Sequence, residues 1–234
     1  MTDILLFGAF PYLALVLMLV ISIQRYRRDG FTVTSLSSEF LENRWLFWGS
    51  VPLHFGILIL FFGHLIGFLI PARVIAFNSS PLRLLVLETT ALVAGFLSLS
   101  GLVILVWRRL RDARLRAVTS KIDVLVYVML LFQIVTGLWI ALGYRWGSAW
   151  YTHVVVPYLH SVFLLRPDVG SMADLPLVAR LHVLGAFSLV TVFSFTRLVH
   201  MLVAPLPYIW RRVQVVMWQR SRGHASAALR TPSS

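Results

Sequence analysis

The chain has no cysteine among its 234 residues. That excludes disulfides, cysteine-ligated iron–sulfur clusters and covalent haem attachment through a CxxCH motif. Acidic residues are scarce as well. Nine Asp and Glu stand against 21 Lys and Arg, and charged residues of both signs make up only 13% of the chain. A soluble domain carries about a quarter. Apolar side chains take the place of charge, at 59% of all residues. This composition points to one all-α integral membrane domain rather than two soluble ones. The formal charge of +12 does not indicate nucleic acid, because the arginines cluster between apolar runs, the pattern of membrane topology. The opening residues MTDILLFGAFPYLALVL lack a basic region and a small-residue cleavage site, so they read as a retained span rather than a signal peptide.

Five apolar runs are long enough to cross a bilayer as helices. They are expected at about 4–23, 46–70, 84–107, 122–143 and 179–203. Pro11 falls inside the first, as a kink or as part of its first turn. Pro71 ends the second, and a loop over 72–83 follows. The third is rich in small residues (Ala91, Ala94, Gly95, Ser98, Ser100, Gly101), which permit close helix approach. The stretch 144–178 contains Pro157, Pro167 and Pro176 and is too broken for a span. Residues 204–234 form a tail. The loops after spans one and three, with the tail, hold 15 Lys and Arg, whereas the alternate loops hold four. The positive-inside rule therefore places the N-terminus outside and the C-terminus in the cytoplasm of a multi-pass protein.

The most informative stretch is SVPLHFGILILFFGHLIG, residues 50–67. It is nearly all apolar yet carries His54 and His64. The fifth run carries two more, His182 and His200. Polar side chains at membrane depth need partners. With span two running outward and span five inward, His54 pairs in depth with His200 on the inner side, and His64 with His182 on the outer. The axial separations are about 15 Å and about 27 Å at 1.5 Å per residue; tilt of helices and ligand planes can absorb the difference. Imidazole is the usual axial ligand of non-covalent haem, so the four read as two bis-histidine haem b sites. The alternative is four unrelated core histidines bonded to backbone. Zinc fits less well, because no three or four ligands gather.

Other residues carry two readings each. Gly56, Gly63, Gly67 and Gly185 lie beside the histidines; they either admit a flat porphyrin or tighten helix packing. Arg197, one turn from His200, pairs with a haem propionate or snorkels to headgroups. Glu88 is an ionisable group near the outer side and a candidate proton relay. His153 and His160, in the 144–178 stretch, are expected to be surface or interfacial. Tyr26, Trp45, Trp48, Trp107, Trp146, Trp150 and Trp210 form interfacial belts.

LHFGILILFFGHLIG, RLHVLG, FTRLVHMLVAP, WRRLRDARLRAVT and YLHSVFLLRPD resemble the corresponding motifs of the gamma subunit of respiratory nitrate reductase, a di-haem cytochrome b anchor. The likeness runs nearly the whole chain, to about Arg220. It implies five spans, two b haems on spans two and five, quinol oxidation near the outer face, and electron transfer inward to an iron–sulfur beta subunit and a molybdenum alpha subunit at the inner membrane of the cell. Carried onto this chain, it assigns His54 and His200 to the inner haem and His64 and His182 to the outer. The quinol-site candidates are Arg83, Glu88, Gly63 and His64. The family has a lysine where Arg83 stands. Positive charge is kept but guanidinium is not ammonium, which leaves the quinone type and the direction of electron flow open.

Two other readings remain. One is a haem b subunit of another complex, serving nitrite oxidation or sulfite or heterodisulfide reduction. The other is a histidine-bearing transporter, against which stand the lack of inverted repeats and of interrupted helices. The segment 208–220 mixes Trp210 and Trp218 with Arg211, Arg212 and Arg220 and is expected to dock a soluble partner, or to lie on anionic lipid.

Overall fold

The structure is a computed structural model that describes residues 1–28, 44–144 and 146–196. Among these the chain is helical throughout, with no strand. A π-helical turn, Ile4–Ala9, leads into α1 (Phe10–Arg28). There follow α2 (Arg44–Leu69), α3 (Pro71–Asn78), α4 (Pro81–Arg111), α5 (Ala113–Ala117) and α6 (Lys121–Gly143). The broken stretch contains α7 (Gly147–Trp150), a π turn (Tyr151–Val155), α8 (Val156–Phe163) and α9 (Gly170–Ala173), and α10 (Leu177–Phe193) closes the described chain. Four segments are long and apolar enough to cross a membrane: Ile4–Arg25, Trp45–Leu69, Pro81–Arg111 and Lys121–Gly143. Each contains one of the first four expected spans or comes within a residue of it. The molecule is a multi-pass membrane protein.

Local chemistry explains the helix ends. Pro71 has no N–H to continue α2, and Ile70 leaves the helix at φ −133° and ψ 55°. The expected loop from 72 is nevertheless helical. Pro71 ends one helix and opens α3, because its fixed φ suits a first helical position. A capping box starts α6: the Ser120 hydroxyl accepts from Asp123 N, and the Asp123 carboxylate accepts from Ser120 N. The Asp112 carboxylate caps α5 by accepting from Arg114 N at 2.8 Å.

The fifth run departs from expectation. Its helix, Leu177–Phe193, is 17 residues long and gives way to a turn at Ser194. The Ser194 hydroxyl donates to Met18 O across to α1, and Arg25 of α1 donates to the carbonyls of Ser194 and Thr196 at 3.0 and 3.1 Å. The two Arg25 bonds satisfy carbonyls of the fifth run that further helix would otherwise use. Residues 197–203, with Arg197 and His200, lie outside the described residues, as do the tail and its expected docking segment 208–220.

The long helices pack in an arc: α2 on α4, α4 on α6, α6 on α10 and α10 on α1. The α2–α4 crossing is close, with Gly49, Leu53 and Gly56 of α2 meeting Ala94, Ser98 and Gly101 of α4. Small residues at such a crossing let the backbones approach where lipid provides no hydrophobic drive. Outward-facing Phe55, Leu58, Val93, Val128 and Trp139 are exposed, as expected of side chains that meet acyl chains. The deepest apolar cluster lies instead in the broken stretch, where Val155, Tyr158, Val162 and Met172 pack on Phe7 and on Val183 of α10. Pro11 has no N–H to offer the Phe7 carbonyl, and the Tyr158 hydroxyl donates to that oxygen at 2.8 Å. Tyr12 returns the contact by donating to Val162 O. Arg180 at the start of α10 pairs with Asp3 and lies over the Phe7 ring.

Candidate functional site

His54 and His64 both lie off the glycine stripe that α2 presents to α4, and both are exposed. Each ring meets a backbone carbonyl four residues earlier, and His54 also has the Ser50 hydroxyl 3.1 Å from Nδ1. Nδ1 of His54 is 2.7 Å from Ser50 O, and Nδ1 of His64 is 2.7 Å from Leu60 O. A carbonyl oxygen only accepts, so Nδ1 carries the hydrogen and the lone pair is on Nε2. An imidazole fixed in this tautomer by backbone four residues earlier is arranged as a metal ligand commonly is.

His182 reaches the same tautomer by another route. Its Nδ1 is 3.0 Å from Thr136 Oγ1 on α6. The Thr136 hydroxyl lies 2.8 Å from Phe132 O and 3.1 Å from Gln133 O, two carbonyls that can take its hydrogen. With the hydrogen on either carbonyl, the Thr136 oxygen accepts and Nδ1 of His182 donates. The Nε2 lone pair of His182 receives the Gln133 amide N–H at 3.1 Å. One lone pair serves either that N–H or a metal ion. The Gln133 Oε1 is buried with no hydrogen-bond partner, so the amide is not locked from both ends.

The helices α2 and α10 make no extensive contact among the described residues. The arc thus holds the two histidine-bearing helices through α4 and α6 rather than against each other. Among the described residues no group of three or more His, Cys, Asp or Glu could hold an ion; bis-histidine ligation draws one imidazole from each side and needs no such group. His200 and Arg197 lie outside the described residues.

The glycines divide. A Cβ on Gly56 would lie 2.5 Å from Ala94 O, one on Gly67 2.8 Å from the Tyr151 ring, and one on Gly185 2.5 Å from Gln133 Oε1. These three serve packing between protein elements. Gly63 is different: a Cβ there meets nothing within 4 Å, and it borders His64 on the open side of α2.

With this geometry in place, comparison with known proteins is decisive. Residues 3–219 match the nitrate reductase gamma subunit family. The chain belongs to that family. It is 35% identical to the nitrate reductase gamma chain of Bacillus subtilis over 214 residues, covering 90% of this chain and 96% of that one. It is 31% identical to the respiratory nitrate reductase 2 gamma chain of Escherichia coli, covering 93% and 98%. It is also 35% identical to the nitrate reductase-like protein NarX of Mycobacterium tuberculosis, where the match covers 86% of this chain but 32% of the relative.

In this gamma-subunit family member the other site candidates have definite partners. The Arg83 guanidinium holds the end of α3, donating to Phe77 O at 2.9 Å and to Ala76 O at 3.4 Å, and it lies over the Phe77 ring. Glu88 is half-buried; its Oε1 accepts from Ser148 N and the Ser148 hydroxyl at 2.8 and 2.6 Å. His153 is exposed, as expected. His160 is partly buried, and its Nε2 donates to Phe68 O at 2.9 Å, capping the last turn of α2. Tyr151 was read only as part of the broken stretch. Its hydroxyl donates to His64 O and its ring stands edge-on to the His64 imidazole at 5.1 Å. Burial pushes its phenol up to about 12, so it remains a donor at physiological pH. Gln133 and Thr136 gave no signal beyond being polar residues inside an apolar run.

Proposed function

We propose that this chain is the di-haem cytochrome b subunit that anchors a molybdoenzyme complex to the membrane. It oxidises quinol near the outer face and delivers electrons inward to iron–sulfur and molybdenum subunits of a nitrate reductase. The observation that carries the reading is the shared hold on Nδ1 of His54, His64 and His182, each within 2.7–3.0 Å of an oxygen acceptor, which leaves Nε2 as the nitrogen for a metal. Two haems b, when bound, supply a one-electron relay across the bilayer. His64 and His182 are the ligands of the outer one, and His54 and His200 those of the inner one. Arg197, one turn before His200 in the sequence, pairs with an inner propionate.

The N-terminus lies outside and the C-terminus inside, by the distribution of arginine. Gly63 leaves the approach to His64 unobstructed for the quinol ring. Arg83 supplies a positive charge for the quinol while its donors hold α3. Glu88, already accepting two hydrogen bonds, takes the quinol proton outward through Ser148. The segment 208–220 docks the iron–sulfur subunit. In membranes containing the assembled complex, quinol should reduce two low-spin b-type components, and iron–sulfur and molybdenum subunits should co-purify with this chain. Co-purification with a different oxidoreductase, or absence of reducible b-type absorbance, would replace this reading.

A further inference from the structure

Thr136 of α6 is more than a packing residue. It is 7% exposed, lies in the middle of an apolar helix, and spends both functions of its hydroxyl. Its oxygen lies 2.8 Å from the Phe132 carbonyl and 3.0 Å from Nδ1 of His182; with the hydrogen on that carbonyl, a lone pair is left for Nδ1–H. On α2 the equivalent acceptors are carbonyls of the same helix, Ser50 O and Leu60 O. His182 takes its acceptor from a side chain on another helix. Four residues before His182 stands Val178, early in α10, whereas a neighbouring helix can offer a hydroxyl at the right height.

We propose that Thr136 is the positioning residue of the outer haem ligand, fixing the tautomer and ring plane of His182 and setting its donor strength. This rests on the haem reading above. An acceptor on Nδ1–H makes the imidazole a stronger donor through Nε2 and favours the oxidised metal. Gln133, one turn earlier on the same face of α6, lies at the other ring nitrogen, so α6 controls both edges of the ring.

The test uses the full chain in its assembled complex, as wild type, Thr136→Val and Thr136→Ser. Valine keeps the branched shape and removes the hydroxyl; serine restores it. Redox titration and low-spin EPR are read on the component that His182→Ala removes. The expected result is that Thr136→Val keeps two haems per chain, shifts that one component to higher potential with an altered EPR signal, and leaves the other component unmoved, while Thr136→Ser matches wild type. If Thr136→Val instead loses the outer haem, recovery of it in Thr136→Ser carries the same conclusion. Unchanged potential and EPR in a two-haem Thr136→Val protein, equal shifts in both components, or no recovery by serine would overturn it. A wild-type protein without haem would instead defeat the reading beneath it.

Discussion

The Tyr151 hydroxyl donates to the carbonyl oxygen of His64 at 3.0 Å, across 87 residues of sequence. Gly67 makes the contact possible, because a Cβ there would lie 2.8 Å from the Tyr151 ring. The broken stretch therefore grips the end of α2 that carries a proposed haem ligand, and His160 adds a second grip at Phe68 O. Tyr151→Phe should keep the ring in its slot and lose one hydrogen bond, lowering stability by about 1 kcal/mol. Thermal unfolding of the purified complex, with haem content measured in parallel, checks this. A larger loss than Tyr151→Ala produces would show that the hydroxyl has some other role.

Two glycines on α2 should respond in opposite ways. Gly56→Ala drives a methyl into the backbone of α4, at 2.5 Å from Ala94 O. Overpacking of this kind costs about 1–3 kcal/mol, and backbone yields less readily than a side chain. Gly63→Ala meets nothing within 4 Å and should leave thermal stability near wild type while slowing reduction of the haems by quinol. Equal stability of the two variants would mean the α2–α4 crossing is looser than described.

Arg83 joins a structural and a proposed functional role, and substitution separates them. Arg83→Ala removes the charge and the bonds to Phe77 O and Ala76 O; it should slow quinol-driven haem reduction by roughly tenfold, the scale of about 1.4 kcal/mol, with haem content intact. Arg83→Lys keeps the charge but cannot reproduce the forked donors, so it should retain most of the rate and lose part of the stability. A rate unchanged in Arg83→Ala would move the quinol site elsewhere.

Much of this architecture was legible because hydrophobicity and helix length are local properties. The spans at 46–70, 84–107 and 122–143 appear as α2, α4 and α6, with no end more than four residues from its expected place. The small residues of the third run mark the close crossing with α2, though in the sequence the partner helix was open. What escaped depends on contacts far apart in the chain. Pro11 was visible as a disturbance, but not that Tyr158, 147 positions later, would supply the donor that proline lacks. His160 looked like a surface residue because nothing in VPYLHSVF says that its Nε2 meets the final turn of α2. Gly56, Gly67 and Gly185 sit beside histidines in sequence, so proximity to a porphyrin and proximity to a neighbouring helix gave the same pattern. The break at Ser194 is set by Arg25 and Met18 of α1, which hydropathy along a single helix does not register.

The pairing of histidines is open to direct dissection. His64→Ala and His182→Ala should abolish the same redox component, and His54→Ala the other. Truncation after Val203 should leave both haems in the membrane and release the iron–sulfur and molybdenum subunits to the soluble fraction. Retention of the partner at wild-type levels would assign docking to the basic stretches near Arg25 and Arg108 instead.

The most direct test of two bis-histidine haem sites is haem per chain, measured by pyridine haemochrome against protein in the purified complex. Wild type should give two haems b per chain, with one lost in each of His64→Ala and His182→Ala. A wild-type ratio of one or zero, or two haems persisting in His182→Ala, would contradict it.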